Sequence, residues 1–243
     1  MDANQAGGVQ VRKWSDSKFF GMASGHYQEN QHRILSLLEN DSNARVLDIG
    51  CADGGFTLGV GEAIGTERLY GMDIDEERVK RARERGIEAI VHDANTEFPY
   101  EDDSFDVVAS NQVLEHLYNT DGFFQEVRRI LKHRGYAVIS TANLSSFHNL
   151  AFMNLGMMPP SLHVSRVQVG NFLYGTETHG HVKLFTAAAL RDLSKYHGFE
   201  VERLVGSGIY PFPRRISNFL SKIFTRYYTY LTVKMRPAKA RQR

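Results

Sequence analysis

The residues of this chain that can do chemistry gather at the ends of its apolar runs. Asp48 follows Val46-Leu47 and leads into Ile49-Gly50-Cys51-Ala52-Asp53-Gly54-Gly55. Asp73 closes a second run, Leu69-Tyr70-Gly71-Met72, with Ile74 and Asp75 behind it. Asp93 and Ala94 follow Ile90-Val91-His92, and a fourth run, Ser104 to Ser110, opens into Asn111-Gln112-Val113-Leu114-Glu115-His116-Leu117. A strand, a glycine turn, a helix and a second strand closing on an acid form the nucleotide-binding half of a doubly wound sheet. The glycines let the backbone approach a ligand closely. The acid at the end of the second strand can accept hydrogen bonds from both hydroxyls of a ribose, which points to an adenosine-type ligand.

The spacing separates one adenosine ligand from another. A dinucleotide needs G-x-G-x-x-G, so that its pyrophosphate sits on a helix N-terminus. Here the glycine turn is tighter, Gly50-x-Ala52-x-Gly54, with Asp48 before it and Asp53 inside it. Two carboxylates repel a pyrophosphate and suit a ligand with a cationic centre and an ammonium group, such as S-adenosylmethionine. Asp93 then stands where a carboxylate can accept the adenine amino group.

These segments, VLDIGCADGG, GMDID, HDA, DDSFDVV, VLEHL and RRILKHRGYAVIST, together resemble the class I S-adenosylmethionine-dependent methyltransferases, in their small-molecule and lipid-type branch. The resemblance spans roughly residues 27–141 and continues more weakly through 181–206. It implies that Asp48 and the turn Gly50, Cys51, Ala52, Asp53 and Gly54 hold the methionine end of the cofactor. It further implies that Asp73, with Ile74 beside it, takes the ribose, that Asp93 and Ala94 read the adenine, and that Asn111 and Gln112 line the floor. Ala52 departs from the family pattern, which has glycine there. Cys51 also reads simply as a small neutral filler of the turn.

The elements that must position these groups follow from periodicity. Strands are predicted at 45–49, 68–73, 87–92, 105–110 and 136–141, alternating with helical stretches, which argues for a parallel sheet with right-handed crossovers. A helix is predicted at 27–39, another N-capped by Asp75, and a third at 187–196 N-capped by Thr186. Strands at 200–205 and 228–235 complete a seven-stranded, doubly wound, mostly parallel α/β sheet whose last strand is antiparallel. The stretch 143–180 breaks the rhythm. An insertion after the fifth strand emerges at the carboxyl edge of the sheet, where ligands bind, so it reads as an acceptor-binding cap. Residues 1–25, with Trp14, Phe19 and Phe20, read as a lid over the cofactor, and Tyr27 and His26 close over it or simply pack.

Composition sets the outer bounds. With 243 residues, 42% hydrophobic and 23% charged, the chain reads as one globular domain. The polar start MDANQAGG and the lack of a long apolar run argue against a secretory signal or a membrane span. The single cysteine fits a reducing, cytoplasmic setting. The net charge of +1 conceals an asymmetry: Arg203 to Arg243 holds ten basic residues and no acidic ones. Within Arg214–Arg226, Ile216, Phe219, Leu220, Ile223 and Phe224 form an apolar stripe. It reads either as a helix docking on an anionic membrane surface or as one packing on the sheet. The end of the chain, from Ala238, reads as a basic tail.

Three histidine positions are candidates for acid–base work. His116 borders the methyl group after the fourth strand, with a hydrogen-bonded wall residue as the plain alternative. His181 lies at the return from the insertion, as catalytic group or structural hydrogen-bonder, and His148 at the insertion's start is weaker. His179 and His181 stand at i, i+2 with no third ligand nearby in sequence, so no metal is expected. Ser110-Asn111-Gln112-Val113 lacks the signature of enzymes that methylate exocyclic base amines. The segments NLGMMPPSLHVS, GHVKLFTAAAL and YPFP are similar to methyltransferases of glycan and lipid-linked sugar pathways, which implies a sugar hydroxyl or carboxyl as acceptor. The rivals are an NAD-dependent oxidoreductase, a non-catalytic S-adenosylmethionine-binding scaffold and, resting on the basic tail alone, an RNA methyltransferase; a nucleic-acid partner is not the expectation.

Overall fold

The computed structural model describes residues 18–212, 216, 217 and 226–239. Helix α1 (Lys18–Leu35) precedes β1 (Val46–Ile49), α2 (Gly55–Ile64), β2 (Leu69–Asp73), α3 (Glu76–Glu84) and β3 (Glu88–Val91). The second half runs β4 (Phe105–Asn111), a 3-10 turn at Leu114–His116, α4 (Thr120–Ile130), β5 (Leu131–Ala142), α5 (Phe147–Asn154), α6 (Ala187–Tyr196), β6 (Phe199–Ser207) and β7 (Tyr230–Pro237). One seven-stranded sheet forms in the order β3-β2-β1-β4-β5-β7-β6. The strands β1 to β5 pair in parallel, and β7 lies antiparallel between β5 and β6.

Central strands of such a sheet are covered on both faces and so carry apolar residues at successive positions. Leu47 and Ile49 face one core layer with Val108, Ile139, Phe123 and Phe124 of α4. Val46, with Val107 and Val138, faces the other, against Val60 and Ile64 of α2 and Val79 of α3. Asp75 caps α3 by accepting the Arg78 N–H at 3.0 Å, and Thr186 caps α6 by accepting the Ala189 N–H at 3.2 Å. Both caps and the limits of α6 agree with the sequence reading.

Two elements differ from it by more than two residues. Helix α1 begins at Lys18 and ends at Leu35, because Leu37 and Leu38 turn back onto the carbonyls of Ile34 and Leu35 at 3.0 and 3.2 Å. Strand β5 starts at Leu131, directly after α4, because Leu131 already pairs with Phe105 and a register irregularity then absorbs the polar residues before Tyr136.

The chain order reverses between β1 and β4, and that switch point opens a crevice at their carboxyl ends. The insertion after β5 folds over the same edge. It holds α5 and a bridge between Val167 and Glu177, and it is tied down by a bridge from Asn143 to Phe185. Among the described residues, no helix is long and apolar enough to cross a membrane. Of the basic C-terminal residues, Lys234 and Arg236 are engaged by Glu39 and Glu202. Most of the Arg214–Arg226 stripe, residues 1–17 of the 1–25 lid and the last residues of the basic tail, 240–243, lie outside the described residues.

Candidate active site

The glycine turn is shaped by three close constraints. Gly50 has φ +78°, and a Cβ there would stand 2.2 Å from Val113 Cγ2. Gly54 has φ +81° and would meet Ile87 Cδ1 at 2.4 Å. Ala52, between them, holds φ +48° with a side chain in place. Its N–H donates to Asp73 Oδ2 at 2.9 Å, while Asp73 Oδ1 accepts from the Asp75 N–H at 3.0 Å. Asp73 thus pins the turn after β1 to the turn after β2. It remains partly exposed, with lone pairs left for a diol, and the exposed Ile74 offers an apolar surface beside it.

Asp48 lies inside β1 at 1% exposure. Its Oδ2 accepts the Thr57 hydroxyl of α2 at 2.6 Å, and its Oδ1 is buried without a partner among the described residues. Burial first, and the nearby Asp73 second, push this carboxyl up to about 7. A cationic ligand beside it would relieve that cost. Asp53 turns outward, accepting the Gly55 N–H at 3.2 Å and pairing with Arg85 at 3.0 Å. Cys51 packs beneath the turn against Gly71, and burial pushes its thiol up to about 12, so it is a neutral filler rather than a nucleophile. Asp93 spends Oδ1 on the backbone and side chain of Asn95, at 2.9 and 2.8 Å, and Ala94 packs on the core.

A buried polar knot closes the other side of the crevice. Asn30 of α1 donates to Asn111 Oδ1 at 3.0 Å and to Ser140 Oγ at 2.9 Å, and accepts from Ser207 Oγ at 2.9 Å. One side chain thereby fastens α1 across β4, β5 and β6. Tyr27, a turn earlier, brings its hydroxyl to 3.4 Å from Asn111 Nδ2. Burial is the main cause that raises this phenol, followed by the Asp48 and Glu115 charges. Asn30 was not anticipated from the sequence, since a lone helical asparagine carries no local signal.

Glu115 was also missed, although it stands in the VLEHL segment. It is fully buried, accepts the Thr141 hydroxyl at 2.8 Å and, with the Gln112 carboxamide turned to donate, the Gln112 amide at 2.9 Å. Gln112 itself has φ +59°. The Glu115 carbonyl accepts the N–H groups of Val182 and Lys183 at 2.9 and 3.1 Å, drawing the return segment of the insertion onto the 3-10 turn.

That link brings the two candidate histidines together: the rings of His116 and His181 lie 4.9 Å apart, edge to face. His181, though not His116, lines a cavity of about 310 Å³ roofed by the insertion, together with His148, Phe152, His163, Phe172 and Tyr230, among others. No lysine or arginine lines it, and Glu177 is its one carboxylate among the described residues. Burial lowers the imidazoles of His181 to about 3 and of His163 and His148 to about 4, and lowers His116 as well, so these rings are neutral near pH 7. His148 shares its Nε2 with Ser161 Oγ at 2.9 Å. His26 also lines the cavity, with its Nε2 3.0 Å from the Phe212 carbonyl. Burial, followed by the Glu115 and Tyr27 charges, raises the Tyr230 phenol at the cavity wall.

A model of the methyltransferase domain matches residues 22–204. A Mycolicibacterium smegmatis protein named "probable S-adenosylmethionine-dependent methyltransferase" is 30% identical over 190 residues, 76% of this chain and 64% of its own length. A Mycobacterium tuberculosis protein of the same description is 36% identical over 104 residues, 42% of this chain and 37% of its own length. The chain therefore spans less than two thirds of each of these curated relatives. The structure of an S-adenosylmethionine-dependent methyltransferase from Mesorhizobium loti superposes with a TM-score of 0.60 at 20% identity, covering 84% of this chain and 96% of that one, and shares the fold. With the reversed sheet, the constrained glycine turn and the acid at the end of β2 already in place, the match over most of the chain makes this protein a member of the methyltransferase domain family.

Proposed function

We propose that this chain transfers a methyl group from S-adenosylmethionine to an oxygen of a small uncharged acceptor held in the cavity under the insertion. Two features carry the reading. One is a glycine turn pinned by Asp73 beside a buried Asp48 oxygen that has no partner among the described residues; the other is an aromatic cavity under the insertion whose wall includes His181, in ring contact with His116 on the turn after β4. When bound, S-adenosylmethionine supplies an activated methyl group on a cationic sulfur. The chain's own work is then alignment and the exclusion of water. Asp73 would take the ribose, the turn and Asp48 the methionine end, Ile74, Asp93 and Ala94 the adenine, and Asn111 and Gln112 the floor.

A hydroxyl acceptor must lose its proton as it is methylated. His181 is a neutral imidazole at the wall of the cavity, the neutral His116 ring stands edge to face against it, and each can hold such a proton. The lining favours an uncharged hydroxyl over a carboxylate or a lipid pyrophosphate, because no lysine or arginine among the described residues faces the cavity to offset a buried anion. A neutral sugar fits this description as well as a phenol does. A dehydrogenase reading is disfavoured by the tight turn and its buried acid, which oppose a pyrophosphate.

The test is formation of S-adenosylhomocysteine with a panel of neutral hydroxyl compounds, matched carboxylates and amines. Turnover confined to neutral hydroxyls supports the reading. Turnover of carboxylates or amines alone would overturn the acceptor assignment, and no turnover together with tight cofactor binding would favour a cofactor-binding scaffold.

A further inference from the structure

The sequence places no third ligand beside His179 and His181, but the fold supplies two. Glu115 and His116, on the 3-10 turn after β4, meet His181 on the return from the insertion. Each of the three offers one ligand atom, and these atoms lie within 4.8 Å of one another. The ring orientations suit a metal. His181 Nδ1 faces the Ser161 carbonyl at 3.0 Å, so that nitrogen carries the proton and Nε2 keeps its lone pair. The His116 ring meets His181 edge to face, with ring centres 4.9 Å apart. Such carbonyl contacts are the usual outer partners of metal-bound imidazoles.

His163 does not join the set. Its Nδ1 accepts the His181 N–H at 2.9 Å and its Nε2 faces the Pro160 carbonyl at 3.1 Å, so both nitrogens are engaged. It stacks on His181 with ring centres 4.9 Å apart and fixes that ring from behind. Glu115 supplies the charge. It is fully buried, and no lysine or arginine pairs with it among the described residues. A buried carboxylate with hydroxyl and amide donors but no cation is an incomplete arrangement, which a divalent ion would complete.

We propose that Glu115, His116 and His181 bind one divalent transition-metal ion, of the zinc type, at the wall of the cavity. Two imidazoles and a carboxylate are a recurrent three-ligand set for such ions, leaving further positions open. Tetrahedral zinc requires donor atoms about 3.3 Å apart, so the three side chains close by roughly an ångström or two on binding. A hydroxyl coordinated at an open position of such an ion would lose its proton more readily. Cation binding is read on the protein alone, so it stands or falls separately from methyl transfer.

The experiment uses the full chain without an affinity tag, stripped with a chelator and titrated with Co²⁺, followed by competition with Zn²⁺. One equivalent of Co²⁺, bound with the visible absorption of a low-coordinate site and displaced by Zn²⁺, is expected. His116→Gln and His181→Gln should each weaken binding by at least about tenfold, while His133→Ala, an exposed histidine on β5, should leave it unchanged. Thermal melting of each variant verifies that it is folded, and Glu115→Gln provides a third ligand variant should one imidazole variant fail to fold. No saturable binding of either ion, or binding undiminished in the folded ligand variants, would overturn the proposal.

Discussion

Asp48→Asn separates what the fold pays from what the ligand gains. The Asp48 carboxyl is buried inside β1, and its pKa rises from 3.8 to about 7, chiefly through burial. A carboxyl with a raised folded pKa binds its proton more tightly in the folded than in the unfolded chain. Stability therefore falls as pH rises from about 4 to about 7 and is level above that. A displacement of about three pH units corresponds to roughly 4 kcal/mol at 1.36 kcal/mol per unit. Asparagine keeps the shape and the contact with Thr57 but cannot ionise. Its amide puts an N–H where Oδ1 now has no partner, at a cost of about 1–3 kcal/mol. The variant should therefore be more stable than the parent by about 1–3 kcal/mol at pH 8, with the difference vanishing or reversing near pH 5. Urea unfolding of both proteins across this range measures it. The same variant should bind S-adenosylmethionine about 10–100-fold more weakly, since it lacks the charge that faces a cationic ligand. Parallel stability curves at all pH values, or unchanged affinity, would refute the reasoning.

Three further substitutions test the frame around that residue. Asp73→Ala should lower S-adenosylmethionine affinity at least about 100-fold while the circular dichroism stays native, because the carboxylate proposed to accept both ribose hydroxyls is removed. Gly50→Ala places a Cβ 2.2 Å from Val113 Cγ2 at φ +78°, and should cost about 2–5 kcal/mol in urea unfolding. Asn30→Ala leaves the polar groups of Asn111, Ser140 and Ser207 short of a partner in the interior and should cost about 2–4 kcal/mol, with α1 losing hydrogen-exchange protection first.

What the sequence disclosed was local. The alternation of apolar runs with helical stretches marked the strands of the sheet, and the caps at Asp75 and Thr186 marked two helix starts, because each signal lies within a few residues. The turn from Gly50 to Gly54 was legible for the same reason. What stayed hidden depends on residues far apart in the chain. Asn30 acts by joining three strands, Glu115 by drawing in the return from the insertion, and His116 meets His181 only through that closure. The sequence treats Asn30 and Glu115 as ordinary polar residues on their own elements, and it names His116 and His181 as separate candidates without showing that they meet. Likewise Asp53 reads as a cofactor acid from its place in the turn, whereas in the fold it faces Arg85.

The central claim, an S-adenosylmethionine site at the switch point of the sheet, is tested most directly by calorimetric titration of the full chain with S-adenosylmethionine, S-adenosylhomocysteine and NAD in parallel. Saturable micromolar binding of the two sulfur compounds, with no heat from NAD, is the expected result. Binding of NAD with silence from both sulfur compounds would contradict it.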